Sequence, residues 1–82
     1  MMEIRYTSKF KESFREFSPA VRKKFYKQIE YLLLDIRHPS LRVKKYDETR
    51  GVWQARVDRR IRFYFLIEAD TYYFLDIKKH PK

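Results

Sequence analysis

The stretch Gly51–Phe65, GVWQARVDRRIRFYF, alternates apolar and polar side chains on either side of Asp58-Arg59. A period of two marks a half-buried strand, and two such runs across a short polar break predict an antiparallel hairpin. On the first strand Trp53, Ala55 and Val57 face one way, and Gln54 and Arg56 the other. On the second, Ile61, Phe63 and Phe65 oppose Arg60, Arg62 and Tyr64. One face of such a hairpin must be buried on a core. The other carries arginines, which either lie in water or meet an anion. That choice governs how the rest of the chain is read.

Upstream, Met2–Thr7 alternates Ile4 and Tyr6 against Glu3 and Arg5, which suits a short strand. Ser8 is the expected N-cap of a helix whose Phe10, Phe14 and Phe17 form one apolar stripe, a core face rather than a binding face. Ser18-Pro19 signals a second helix start. From Ala20 to about Arg37, Val21, Phe25, Ile29, Leu32, Leu33 and Ile36 keep helical spacing, with Arg22, Lys23, Lys27 and Glu30 opposite. Proline disfavours a helical residue before it, so the helix ends at His38-Pro39 and His38 reads as a helix-end or loop residue.

Leu41–Tyr46 reads as a basic strand, and Asp47–Gly51 as a loop holding the only glycine. Beyond the hairpin, a turn near Ala69-Asp70 leads to a last strand from Thr71 to about Lys78. Strict alternation there puts Tyr73, Leu75 and Ile77 on one face and Tyr72, Phe74, Asp76 and Lys78 on the other. The expected fold is α+β, one domain over residues 1–82. An N-terminal strand and a helical hairpin accompany an antiparallel sheet with a C-terminal four-stranded meander, the helices on one face.

Composition narrows the function. Hydrophobic residues are 44% and aromatics 18% of the 82 residues, enough for one folded core despite 38% charged residues. The net charge of +9 makes a nucleic acid or an acidic protein the natural partner. The cations do not form one amphipathic helix, so a membrane surface is not an expected partner. With no cysteine, and with His38 and His80 far apart, neither a disulfide nor a structural metal is expected, and no cofactor is implied. No apolar run approaches the ~20 residues of a membrane span, and no signal-peptide core begins the chain, so the expected compartment is the cytoplasm.

Parity sends Gln54, Arg56, Arg60, Arg62 and Tyr64 away from the helices, together with Tyr72, Phe74, Asp76 and Lys78, and His80 continues the series. Cations beside tyrosines and a histidine suit a phosphodiester chain with stackable bases. The alternative is a solvated face on which Asp76 pairs with an arginine and Tyr64, Tyr72 and Phe74 pack together, an ion pair of little worth. There is no phosphate-cradling glycine loop, paired carboxylate cluster or Ser-His-Asp set. A nuclease made from these residues would act on RNA, whose 2′-hydroxyl can attack the adjacent phosphate. Arg56 and Arg62 would hold the phosphate oxygens, and His80 is the one side chain of the set whose ordinary pKa lies near neutrality.

The segment HPSLRVKKY, the GVWQARVDRRIRFYF hairpin and the ending LDIKKH, in a strand–helix–helix–strands order, resemble the RelE/ParE superfamily of type II toxin–antitoxin toxins over essentially the whole chain. The RelE-like branch is nearest. The resemblance implies a metal-independent endoribonuclease that cuts mRNA on the ribosome and inhibits translation. It implies as partners the ribosome, mRNA and an acidic cognate antitoxin, with a free monomer and a hetero-oligomer once the antitoxin binds. Arg56 and Arg62 match arginine or basic positions of two adjacent strands, and Lys79 and His80 fall where RelE-like members carry C-terminal basic or histidine residues. With Arg56, Arg62 and His80 as the catalytic candidates, Gln54, Arg60, Tyr64, Tyr72, Lys78, Lys79, Lys44 and Lys45 make up the RNA-contact set. Gln54 stands where some members have lysine. The C-terminal tyrosine of several ribonuclease members has no counterpart after His80, so Tyr72 or Tyr64 would have to replace it. A ParE-like inhibitor of DNA gyrase, or a toxin that only binds RNA or antitoxin, remains the alternative.

Overall fold

A computed structural model describes residues 2–80. The elements follow the expected order: β1 (Glu3–Tyr6), α1 (Ser8–Arg15), α2 (Pro19–Leu34), β2 (Lys44–Asp47), β3 (Val52–Arg56), β4 (Ile61–Glu68) and β5 (Thr71–Lys79). The strands form one sheet in the order β1-β5-β4-β3-β2. β2 to β5 make the antiparallel meander, and β1 adds a parallel edge to β5. No helix among the described residues is long and apolar enough to cross a membrane.

Both helix starts are set by hydroxyl caps. Thr7, rather than Ser8, caps α1: its Oγ1 accepts the Phe10 N–H at 3.2 Å and donates to the Phe74 carbonyl at 2.8 Å. One hydroxyl thus satisfies a free helix N–H and ties α1 to β5. Ser18 caps α2 as expected, accepting the Val21 N–H at 3.3 Å ahead of Pro19. α2 stops at Leu34, short of Arg37, because Asp35 turns extended (φ −163°) and its carboxylate accepts the Arg37 N–H at 2.9 Å. This local side-chain bond competes with helix continuation. Leu33, expected in the apolar stripe, is 44% exposed, and Leu34 is 83% exposed.

The core is aromatic. Phe10, Phe25, Phe63, Phe65 and Phe74 are each at most 1% exposed. Their rings meet at centroid separations of 5.3 to 6.0 Å, several of them edge to face, the geometry favoured by the ring quadrupole. Leu41, expected to open β2, is instead buried in the loop before it, because Arg42 takes a positive φ of 47° and interrupts the extended chain. β2 then begins at Lys44.

Side-chain parity along β5 departs from expectation. Tyr64 pairs with Asp76, but the next residue, Phe65, pairs with Phe74. Leu75 is therefore the extra residue of a β-bulge, and everything before it changes face. Tyr72 and Phe74 point into the core, at 5% and 0% exposure, while Tyr73 lies opposite Leu66 on the other face. The predicted outward placement of Tyr72 and Phe74, and the inward placement of Tyr73, are corrected by this bulge. Ile77, Asp76 and Lys78, which follow the bulge, keep their expected faces.

Candidate nucleic-acid interface

On the face away from the helices, register aligns two rows across the strands. One runs Lys44, Gln54, Tyr64, Asp76, and the other Arg56, Arg62, Lys78. Three cations in direct cross-strand register oppose folding rather than favour it, since like charges placed opposite repel. Arg42, Lys44, Gln54, Arg56, Arg62 and His80 line a cleft of about 320 Å³ on this face. The three residues expected to carry chemistry, Arg56, Arg62 and His80, thus come together.

Each is held from the backbone. The β3–β4 bend is organised by Asp58, whose Oδ1 accepts the N–H groups of Arg60 and Ile61 at 2.8 and 3.0 Å. Its Oδ2 lies 3.4 Å from the Lys24 ammonium. Burial works to raise the Asp58 carboxyl pKa, but the two N–H donors and Lys24 outweigh it and hold the group below the usual carboxylate range. Arg62 Nη1 donates to the Asp58 carbonyl at 2.8 Å and to the Ile61 carbonyl at 3.3 Å, which fixes the guanidinium and leaves Nε and Nη2 for the cleft. Arg56 donates its backbone N–H to the Leu41 carbonyl at 2.8 Å, and its own carbonyl accepts from Gln28 Nε2 at 2.8 Å. His80 donates its N–H to the Arg60 carbonyl at 2.6 Å, so the ladder extends past β5 and carries the imidazole to the cleft.

The cleft is electrostatically uncompensated. The ion pairs among the described residues join Glu3 with Arg5, Lys24 with Asp58, Asp35 with Arg37 and Asp47 with Arg50, and none uses a cleft cation. Burial, then the charges of Arg42, Arg62 and Arg59, lower the pKa of the Arg56 guanidinium, with Asp58 opposing. Arginine stays charged through such a shift, so the repulsion among these guanidinium groups persists in the folded protein. Asp76 does not pair with an arginine, as the solvated-face alternative required. It accepts the Ser13 hydroxyl at 2.6 Å instead, and Tyr72 and Phe74 are not on this face to pack against Tyr64.

Arg42 was absent from the expected set, although Leu41 and Val43 alternating with Arg42 and Lys44 already assign it to the cationic face. Its φ of 47° is uncommon for a residue with a side chain, and the residue lines the cleft. Tyr46 was also missed. It is 56% exposed and stands edge-on to Tyr64 at 4.7 Å, at the irregular pairing between β2 and β3. Lys78 Nζ sits 5.1 Å from the Tyr64 ring. Burial, then Tyr46, raises the Tyr64 hydroxyl pKa.

The remaining expected contacts lie elsewhere. Arg60 and Lys79 flank a second cleft with Lys24 and Arg59, on the helix side of the bend, so Arg60 departs from the outward parity. The cause is the bend itself, where Val57 and Asp58 both turn back to the Ile61 carbonyl and strict alternation lapses. Lys45 pairs with Trp53 and holds its ammonium 4.4 Å from the indole centroid, on the opposite face from Lys44. Tyr72 is in the core, and burial raises its hydroxyl pKa. His38 is the loop residue expected, stacked on Tyr31 at 4.0 Å.

No protein-family model and no curated protein matches this chain. Solved structures do. The YoeB dimer from Staphylococcus aureus gives a TM-score of 0.81 at 13% identity, covering 98% of this chain and 98% of that one. The YoeB/ParE toxin from Agrobacterium tumefaciens gives 0.77 at 11% identity, covering 98% and 100%. The RelB–RelE antitoxin–toxin complex from Methanococcus jannaschii gives 0.74 at 16% identity, covering 92% and 88%. The chain has the RelE-like toxin fold, and the resemblance read from the hairpin and the LDIKKH ending is borne out at that level.

Proposed function

We propose that this protein is the toxin of a type II toxin–antitoxin pair and acts as an endoribonuclease on mRNA in the ribosome. The observation that carries the reading is the cleft that unites Arg42, Arg56, Arg62 and His80 without a carboxylate partner, on a fold shared with toxins. Arg56 and Arg62 stabilise the charge that builds on the phosphate as the 2′-oxygen attacks phosphorus. The bond from phosphorus to the 5′-oxygen breaks, leaving a 2′,3′-cyclic phosphate and a 5′-hydroxyl. A proton leaves the 2′-hydroxyl and one arrives at the 5′-oxygen, and the His80 imidazole at the cleft is the group proposed to carry them. Exposed Tyr46 offers a surface on which a base can stack. The partner that silences the cleft is an acidic antitoxin, in keeping with a structural neighbour solved with its own.

In a translation extract, the purified protein should cut mRNA and leave 2′,3′-cyclic or 3′-phosphate ends, the products of 2′-hydroxyl attack. Arg62→Ala should reduce cleavage by about 10²–10³-fold, the scale of removing one preorganised charge donor. His80→Ala should reduce it as well, with both variants melting like the parent. Full cleavage by both would overturn the site. Intact mRNA combined with blocked gyrase supercoiling would overturn the ribonuclease in favour of a ParE-like inhibitor.

A further inference from the structure

Gln54 is the one side chain of the cleft whose state is unexplained by charge. It is only 5% exposed, yet its amide makes no hydrogen bond to any described residue. No fully buried side-chain nitrogen or oxygen among the described residues lacks a partner, so the amide must open onto the cleft it lines. By contrast Gln28, the other buried glutamine, uses both ends of its amide, on the carbonyls of Ser40 and Arg56 and the Ser40 hydroxyl. A buried amide is ordinarily satisfied inside the protein. One left facing a ligand cleft has its donor and its acceptor available for recognition.

We infer that Gln54 reads a nucleobase, and that the base it favours is adenine. The inference rests on the nucleic-acid reading of the cleft and names its specificity. The two cross-strand rows divide the work: Arg56, Arg62 and Lys78 meet the phosphate, while Gln54 and Tyr64 lie one row away, toward the exposed Tyr46 ring. A base that stacks on Tyr46 brings its edge to the Gln54 amide. Adenine presents an acceptor at N7 beside a donor at N6, which match the amide NH₂ and carbonyl together. Guanine presents two acceptors on that edge, one of which would face the amide oxygen unpaired. The smaller pyrimidines offer less ring to stack. A glutamine amide carries a donor and an acceptor side by side, which a side chain with donors alone does not.

The test is fluorescence anisotropy at fixed low salt with short uracil-rich RNAs that differ in one central base. A 2′-deoxyribose at that base prevents attack there. The parent should bind the adenine RNA about tenfold more tightly than the guanine, cytosine or uracil RNAs, the scale of one bidentate base contact. Gln54→Leu and Gln54→Met should bind all four alike, at the affinity the parent shows for the disfavoured bases. A parent without preference, or a preference that persists in both variants, would overturn the inference while leaving the nucleic-acid cleft standing. Failure to bind any of the four RNAs would overturn the nucleic-acid reading with it.

Discussion

The two faces of the β3–β4 hairpin obey opposite rules. On the helix side, Ala55, Phe63 and Phe65 are excluded from solvent among the rings of Phe10, Phe25 and Phe74, and every neighbour lowers the energy of the next. On the far side, Arg56, Arg62 and Lys78 stand in register, and each raises the energy of the others. The first face explains why the chain folds. The charges of the second do not help the fold, and a polyanion is the partner proposed to offset them. Stability and function are thus separated by the pleat of the same two strands.

The sharpest way to break this contrast lies in β5, where the bulge at Leu75 decides which residue belongs to which face. Phe74→Ala should cost about 3–5 kcal/mol in denaturant unfolding, the range for deleting a buried aromatic ring. Tyr72→Ala should likewise fall mainly on stability. A Tyr72→Phe variant, which removes only the hydroxyl, should leave RNA cleavage and binding at the parent level. A large loss of activity in a stably folded Tyr72→Phe protein would return Tyr72 to the functional face and contradict the bulge.

That bulge also marks where sequence reasoning stops. Gly51–Phe65 has a polar residue at every second position over most of its length, so only one parity buries its apolar side chains, and both faces were legible. Tyr72-Tyr73-Phe74-Leu75 is apolar at every position, and either parity buries aromatic surface. Contact with β1 and α1 settles it: Ile4 pairs with Tyr72, and Phe10 packs 5.7 Å from Phe74. Neither contact is local. The site divides in the same way. Arg56, Arg62 and Gln54 were readable from alternation, and Arg42 could have been. Tyr46 depends on an irregularity in β2–β3 pairing, and the displacement of Arg60 on a bend held by Asp58, neither of which alternation encodes.

A smaller effect joins the faces at that bend. Asp58 holds the turn that delivers Arg62 and reaches Lys24 on the helix side. Asp58→Ala should destabilise by roughly 1–2 kcal/mol at neutral pH, as expected for removing a charged acceptor of backbone N–H groups. It should also lower cleavage through the misplaced Arg62. The folded-state pKa of Asp58 lies below its ordinary value, so its contribution is present above the unfolded pKa of about 3.9. It is lost as pH falls through the lower, folded value. Urea titrations of parent and variant from neutrality downward should therefore converge in acid, and a gap that widens there would refute the assignment.

The smallest effect tests the cationic face directly, because its sign is opposite to that of ordinary truncations. Replacing Arg56 with glutamine removes one charge of an unpaired cluster while keeping much of the side chain's packing. At low salt the variant should be as stable as the parent or more stable, by a few tenths of a kcal/mol, since cross-strand repulsion is relieved. The difference should shrink toward zero near 1 M salt, where screening acts within ~3 Å. The same substitution should weaken RNA binding and flatten its dependence on salt, because one fewer counterion is displaced by the polyanion. A variant that loses stability at low salt and regains it at high salt would mean that Arg56 is stabilised by an unseen acidic partner within the fold, and the cleft would then be a structural feature rather than a site awaiting an anion.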